Sequence, residues 1–192
     1  IMHRLLAGEK LTYEGSYYQT NSAKLYSPPL HQVPIYIAAG GQQTAALAGQ
    51  IADGIIVSVK SASDTLSEII APASQQAGQK KFDLVASHWS VYAKDSQEAW
   101  QALQPWRGLR APSRDRATNP VVLQKEADSL PRDQVLASYN ILGSADDFVK
   151  AYQPLVKGLG ADIIGFQTTA IDQAALIRMV GKDVLPRLKM LK

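Results

Sequence analysis

Short apolar runs alternate with amphipathic segments along this chain, and the alternation predicts strands that are each followed by a helix. The runs at 33–39, 54–59, 84–93 and 162–168 are apolar almost throughout and contain many β-branched and aromatic residues. Such runs are typical of strands that are buried on both faces. The sequence therefore predicts four buried strands.

The segments between the runs have the spacing and the end signals of helices. The first, at 42–53, places Ala45, Ala48 and Ile51 on one face. Ser63 or Asp64 is expected to cap the second helix. Further helices are predicted at 96–103, 121–130 and 132–139, after Ser144 and after Asp172, and 105–120 is predicted to be a loop.

Strands of this kind that alternate with helices predict a parallel sheet with helices outside it. Two architectures fit the pattern, an open doubly wound sheet and a closed (β/α)8 barrel. A complete barrel usually takes about 250 residues, whereas this chain has 192. Four βα units would be half a barrel, so either the sheet is open or half of the barrel lies outside this chain.

Composition excludes several classes of protein. The chain has no cysteine, which excludes a disulfide framework, a cysteine nucleophile and a thiolate metal site. The formal net charge of +3 is only mildly basic and gives no reason to expect nucleic-acid binding. No apolar run approaches the length that a membrane span needs, and the three histidines lack the spacing of a metal site.

The region 8–60 carries a family resemblance. It contains GEKLTYEGSYYQ, then VPIYIAAGG, then AGQIADG, and the chain later contains NPVVLQKEADSLP and DVLPRLK. Their order and spacing resemble the luciferase-like monooxygenase superfamily, in particular its branch that uses the deazaflavin coenzyme F420. Within that branch they are similar to the F420-dependent glucose-6-phosphate dehydrogenase group.

The resemblance implies an α/β fold, a (β/α)8 TIM barrel of the bacterial luciferase-like type, of which this chain would cover strands five to eight. Residues 1–192 would then be the C-terminal half of a single domain. In the family the other half supplies the catalytic His and Glu. We therefore assign no catalytic residue here and expect the isolated chain to be inactive.

Gly40, Gly41 and Gln43 are the candidate coenzyme-binding residues. The glycines follow a strand and precede a helix, on the face where barrel active sites form. Glycine lets a backbone approach a ligand, and a helix N-terminus favours an anion. The resemblance implies that the pair and Gln43 contact the coenzyme. The alternative is a plain βα turn that needs a positive φ.

Ser58, Lys60, Ser61 and Lys125 are the candidate substrate-binding residues. The resemblance implies that a hydroxyl, two lysines and an arginine bind a substrate phosphate. Ser58 matches the hydroxyl, Lys125 matches one lysine, and the other lysine position falls on Ser61, one residue after Lys60. No arginine occurs at 138–140, where the family has one. We infer that glucose 6-phosphate is not the substrate, and both lysines could instead be solvated.

Three further features could belong to the site. Arg107, Arg110, Arg114 and Arg116 could meet the phosphate or glutamate tail of the coenzyme, or form a solvated basic loop. His88 could point into the barrel, but a core histidine with satisfied hydrogen bonds is the preferred interpretation. Tyr17 and Tyr18 match a family Tyr-Tyr pair that we interpret as structural packing.

The function implied by the resemblance is hydride transfer between the CH–OH carbon of an alcohol or sugar and coenzyme F420. Two alternatives stay open: an FMN-dependent luciferase-like monooxygenase, and a non-catalytic truncated barrel that binds a flavin or deazaflavin. The expected partners are a small-molecule substrate, a second copy in a homodimer, and the N-terminal half of the barrel, with neither nucleic acid nor membrane. Cytoplasmic localisation is expected.

Overall fold

The four apolar runs form parallel strands of one sheet, as the sequence predicted. The protein is described here from a computed structural model, which covers residues 1–191. The strands of this sheet are β3 (Tyr36–Ala38), β4 (Gly54–Ser58), β5 (Asp83–Tyr92), β6 (Asn140–Leu142) and β7 (Ile163–Ala170). They follow a separate antiparallel hairpin of β1 (Leu11–Glu14) and β2 (Gln19–Ala23).

Strand β5 is the centre of the sheet, and every pairing in the sheet is parallel. Strand β3 pairs with β4, and β4 pairs with residues 83–87 of β5. Strand β7 pairs with residues 85–92 of β5, and β6 pairs with residues 90–92. The residues of β5 that pair with β7 include residues that pair with β4 and residues that pair with β6. Strand β7 therefore lies on one side of β5, and β4 and β6 lie one after the other on the opposite side.

Apart from α1, which precedes the sheet, the helices follow the strands in the predicted order. They are α1 (Met2–Leu6), α2 (Gln42–Ile51), α3 (Ala62–Thr65), α4 (Ala71–Ala77), α5 (Ser96–Leu103), α6 (Pro120–Asp128), α7 (Arg132–Leu136), α8 (Ala145–Lys157), α9 (Gln173–Met179) and α10 (Leu185–Lys189). A π-helical turn, Leu66–Ile70, joins α3 to α4, and a second one, Val180–Val184, joins α9 to α10.

One face of the sheet and the helices that pack on it form the main hydrophobic core. Ile55 and Val57 of β4 enter this core beside Phe148 and Tyr152 of α8. The next residues of β4, Ile56 and Ser58, point to the other face and are exposed. Burial of the alternate residues of β4 therefore identifies a helix-covered face and an open inner face.

A second, smaller core covers the carboxyl end of β5 on the inner face. Val91 and Ala93 pack there against α5 and α7, together with Tyr139. Helices α5 to α7 belong to an insertion between β5 and β6. This insertion therefore packs beside the open part of the inner face, and its position brings the segment 105–120 close to the sheet.

Three local interpretations of the sequence were wrong. Ser61, and neither Ser63 nor Asp64, caps α3, because its hydroxyl accepts from the Asp64 N–H. Strand β6 makes the sheet five-stranded rather than four-stranded. Tyr17 and Tyr18 do not pack in this structure, since they are 93% and 75% exposed at the tip of the β1–β2 hairpin.

Within the described residues, no helix combines the length and the hydropathy that crossing a bilayer would require.

Candidate coenzyme and substrate site

The register of the sheet aligns the carboxyl ends of β3 and β4 with the middle of β5 and the first half of β7. Ala38 pairs with Ile56, and Ser58 pairs with Ser87. Ser87 pairs in turn with Gly165 of β7. Gly40 and Gly41, two and three residues after Ala38, therefore lie at the same end of the sheet as Ser58. This is the end at which active sites of parallel βα folds form.

Gly40 and Gly41 border open space. A Cβ added at either position would meet no protein atom within 4 Å. Neither glycine has a positive φ, and Gly41 is extended with φ −165°. The turn itself therefore does not require glycine, which contradicts the alternative drawn from the sequence. The structure instead fits a ligand that approaches the backbone of this pair, and Gln43 is exposed beside it in the first turn of α2.

A row of polar side chains crosses the inner face next to the glycine pair. The Ser87 hydroxyl lies 3.3 Å from the Val57 carbonyl oxygen and 3.2 Å from Oε1 of Gln167. Ser58 precedes it in the row and is exposed. Sequence reasoning identified Ser58 and missed Ser87 and Gln167. The signal it could have used is a polar residue at alternate positions of an otherwise apolar strand.

Lys60 and Ser61 directly follow β4 at this end of the sheet. Lys60 is exposed, whereas the Ser61 hydroxyl lies 3.0 Å from Oγ of Ser63 and caps α3. Ser61 therefore has a structural role as the cap of α3, and its role in substrate binding stays a prediction. Lys60 is the residue of this loop whose side chain extends into solvent beside Ser58.

Lys125 lies in a different element from these residues. It is exposed in the last turn of α6, which packs on the 3-10 turn Arg107–Arg110. Among the described contacts, none joins Lys125 to Ser58, Lys60 or Ser61. The structure thus brings the β4 residues together with the glycine pair and places Lys125 on the insertion.

His88 points away from the inner face. Its Nδ1 lies 2.9 Å from the Val59 carbonyl oxygen, and its ring packs edge-on against Tyr152 of the main core. Because a carbonyl can only accept, Nδ1 carries the proton. His88 is therefore a core histidine with a satisfied hydrogen bond, as the preferred interpretation of the sequence held.

The four arginines of the insertion differ in their partners. Arg107 donates to Oδ1 of Asp128 from Nε at 3.0 Å and from Nη2 at 2.6 Å. Nε of Arg114 lies 3.5 Å from Oδ1 of Asp115. Arg110 has no carboxylate of the described residues within 4.0 Å, and its Nη2 is 3.4 Å from the Ser138 carbonyl oxygen. A guanidinium thus reaches 138–140, where the sequence has no arginine.

No group of three or more possible metal ligands occurs in residues 1–191. A parallel sheet with helices on one face, ligand-accessible glycines and polar residues at the carboxyl ends of its strands defines an α/β protein built from βα units. A profile of the luciferase-like monooxygenase family matches residues 1–162. The chain belongs to this family.

Two curated relatives show how much of the family fold this chain contains. The F420-dependent glucose-6-phosphate dehydrogenase of Nakamurella multipartita is 31% identical over all of this chain and 58% of its own length. The enzyme of the same name from Beutenbergia cavernae is 28% identical over 98% of this chain, again at 58% of its own length. The chain therefore spans less than two thirds of the relatives it matches and corresponds to their C-terminal part.

Two solved structures have the same fold. An F420-dependent secondary alcohol dehydrogenase in complex with an F420-acetone adduct superposes with a TM-score of 0.78 at 25% identity, over 97% of this chain and 58% of the other. The F420-dependent tetrahydromethanopterin reductase of Methanopyrus kandleri superposes with a TM-score of 0.71 at 20% identity, over 97% and 60%. The predicted luciferase-like barrel fold, with this chain as its C-terminal part, is confirmed.

Proposed function

We propose that this chain forms the ligand-binding half of an F420-dependent oxidoreductase, which transfers a hydride between the CH–OH carbon of an alcohol or sugar and the deazaflavin. The observation that carries the proposal is the free space at Gly40 and Gly41, next to Ser58 at the carboxyl edge of the sheet. The names of the relatives support F420 as the ligand that this edge receives.

The residues of this edge can bind and orient a ligand. Coenzyme F420, when bound, supplies the carbon that accepts or gives the hydride. The backbone at Gly40 and Gly41 would hold the coenzyme together with Gln43, while Ser58, Lys60, Ser61 and Lys125 would hold the substrate. The side chains of Ser87 and Gln167 are hydrogen-bonded to each other on the side of Ser58 away from the glycine pair.

Proton transfer needs an acid or base, and the described polar row from Ser58 to Gln167 does not offer one. Of the described residues on it, Ser58, Ser87 and Gln167 do not titrate near neutral pH, and His88 points into the core. We propose that the acid and base groups belong to the half of the barrel outside this chain, and that the chain alone is inactive. Turnover with coenzyme F420 by the chain alone would contradict this point.

The exposed inner face supports the partner that the proposal needs. Ile56 and Ile163 are 37% and 44% exposed on that face, where the first half of the barrel would cover them. A homodimer is the second proposed association. Sedimentation of the chain, alone and with a separately produced first half of a relative, separates the two associations, and a monomer in both experiments would exclude them.

Coenzyme binding is the direct test of the proposed function. The chain is titrated with F420 and with FMN, and binding is followed by calorimetry and by coenzyme fluorescence. We expect F420 to bind more tightly than FMN, and Gly41→Val to weaken F420 binding at least about tenfold because its side chain would fill the ligand space. Gly181→Val is the matched control, since Gly181 also borders open space but lies far along the chain in the turn after α9.

Each outcome of this titration decides between the proposals. Preferential FMN binding would favour the monooxygenase alternative, which the family description supports. Tight coenzyme binding without turnover, even when the first half of the barrel is present, would favour a non-catalytic binding protein. Binding of neither coenzyme would overturn the proposal.

A further inference from the structure

Arg110 is held against two aromatic rings at the carboxyl end of β5. Its guanidinium carbon lies 5.2 Å from the ring centroid of Trp89 and 4.5 Å from that of Tyr139. The two rings stand nearly perpendicular, at 87°, with centroids 6.2 Å apart. Such cation–π contacts fix the orientation of a guanidinium but leave the N–H donors in its plane unused.

The N–H donors of Arg110 are poorly satisfied. Its Nε is buried without a hydrogen-bond partner among the described residues, and so is the Tyr139 hydroxyl beside it. The bond from Nη2 to the Ser138 carbonyl oxygen, at 3.4 Å, is longer than an ordinary N–H···O bond and lies at the surface. The exposed edge of the guanidinium therefore has donors to offer to a ligand.

The charge of Arg110 is also uncompensated within residues 1–191. Arg107, three residues earlier, is neutralised by Asp128, and Arg114 lies beside Asp115. No carboxylate of the described residues is within 4.0 Å of Arg110. A fixed, unpaired guanidinium is the group that proteins use to bind planar carboxylate and phosphate oxygens in a bidentate manner.

The position of Trp89 places this guanidinium beside the ligand site. Trp89 pairs with Gln167 of β7 and lies two residues beyond Ser87 on the inner face. The strand β3, which leads to the glycine pair, is two strands away from β5, and two strand spacings are about 10 Å. A ligand that binds at the glycine pair and extends along the inner face past Ser87 would approach Trp89, on which the Arg110 guanidinium lies.

We propose that Arg110 binds an oxyanion, a phosphate or a carboxylate, of a ligand held at this edge of the sheet. Nη1 and Nη2 bind two of its oxygens, while Trp89 and Tyr139 keep the guanidinium in place. This assignment rests on the proposed function. The oxyanion belongs either to the acidic tail of the coenzyme or to the substrate, and both sources present the same chemistry to Arg110.

Three probes and three variants test the assignment. The probes are intact coenzyme F420, its deazaflavin chromophore without the phosphate and glutamate tail, and inorganic phosphate, all titrated at low salt. The variants are Arg110→Met, Arg110→Lys and the control Arg114→Met, which removes an exposed arginine near Asp115. Circular dichroism reports whether each variant is folded, and Arg110→Lys keeps the test valid if Arg110→Met does not fold.

If the oxyanion is the tail of the coenzyme, Arg110→Met weakens F420 binding about 10- to 100-fold and leaves the chromophore unaffected. If it belongs to the substrate, Arg110→Met loses phosphate binding while F420 and the chromophore bind as in the wild type. In either case Arg110→Lys gives a smaller loss of binding, because a lysine keeps the positive charge but lacks the paired N–H donors of the guanidinium. Arg114→Met leaves the binding of all three probes unchanged.

Equal binding of all three probes by the wild type and both Arg110 variants would overturn the assignment and leave the proposed function standing. Failure of the wild type to bind F420 and the chromophore would instead overturn the proposed function, and phosphate binding would still test Arg110. Phosphate binding that is lost equally in Arg114→Met would show a diffuse basic surface and contradict a specific role of Arg110.

Discussion

The imidazole Nδ1 of His88 lies 2.9 Å from the carbonyl oxygen of Val59. The N–H of Val59 donates to the Ser87 carbonyl oxygen at 2.8 Å, so residues of β5 bind both backbone polar groups of Val59. Lys60 and Ser61 come next in the chain. His88 therefore acts as a positioning residue for the loop that carries two of the candidate substrate-binding residues.

Replacing His88 with Phe tests this positioning. The phenyl ring keeps the contact with Tyr152 but cannot donate to Val59, so we expect a loss of about 1 kcal/mol in the free energy of unfolding. We also expect faster amide hydrogen exchange at 60–64 than in the wild type. His31→Phe is the control because His31 is exposed, and unchanged exchange at 60–64 would contradict the role.

Gly49 lets α2 pack closely on α4. A Cβ at this position would overlap the Ala73 carbonyl oxygen and would lie 2.8 Å from Cβ of Gln76. Gly49→Ala is therefore expected to destabilise the protein by about 1–3 kcal/mol, because the helices must separate. Gly181→Ala has open space and should be neutral or stabilising by up to about 1 kcal/mol. Denaturant unfolding measures both, and equal stabilities of the two variants would refute the close-packing argument.

Ser144 and Asp147 cap α8 in a pH-dependent way. The Ser144 hydroxyl accepts from the Asp147 N–H and donates to the Asp147 carboxylate at 2.8 Å. This bond, assisted by the Gly143 N–H, lowers the pKa of Asp147. A lowered folded-state pKa contributes stability above the unfolded value of about 3.9 and loses it as pH falls through the folded value.

Asp147→Asn should therefore reduce stability at pH 7 and flatten its decline below about pH 4. Ser144→Ala should cost about 0.5–2 kcal/mol as a lost N-cap. Asp115→Asn, which removes an exposed carboxylate, is the control. Thermal unfolding between pH 2 and 7 measures the three, and an acid decline in Asp147→Asn as steep as that of the wild type would exclude the linkage.

Tyr152 connects the helix layer to the sheet through its hydroxyl. That hydroxyl lies 3.0 Å from Oγ of Ser90 and 3.4 Å from the His88 carbonyl oxygen. Burial raises the pKa of Tyr152, so the hydroxyl stays protonated across the physiological range. Tyr152→Phe should lower the free energy of unfolding by about 1 kcal/mol, since it leaves Ser90 without this partner. Tyr26→Phe, at an 89% exposed position, should change nothing, and equal losses in the two variants would contradict the network.

Much of the fold could be predicted because the strands are continuous apolar runs. The predicted run at 54–59 is β4, Gly54–Ser58, and the predicted helix at 96–103 is α5. Strand β6 was missed because three residues between two helices carry no period. The β1–β2 hairpin was missed because its alternate residues do not cover a core and Leu11 is its one buried large apolar residue.

The sequence by itself determined the four apolar strands and the helices between them, the family and the glycine pair at the end of a strand, because these depend on local composition and spacing. The tertiary structure decided what the side chains do. It turned His88 to the core, joined Arg107 to Asp128, and placed Arg110 between Trp89 and Tyr139. The sequence cannot distinguish the roles of the four arginines that lie within ten residues, because the partners that distinguish them come from distant segments.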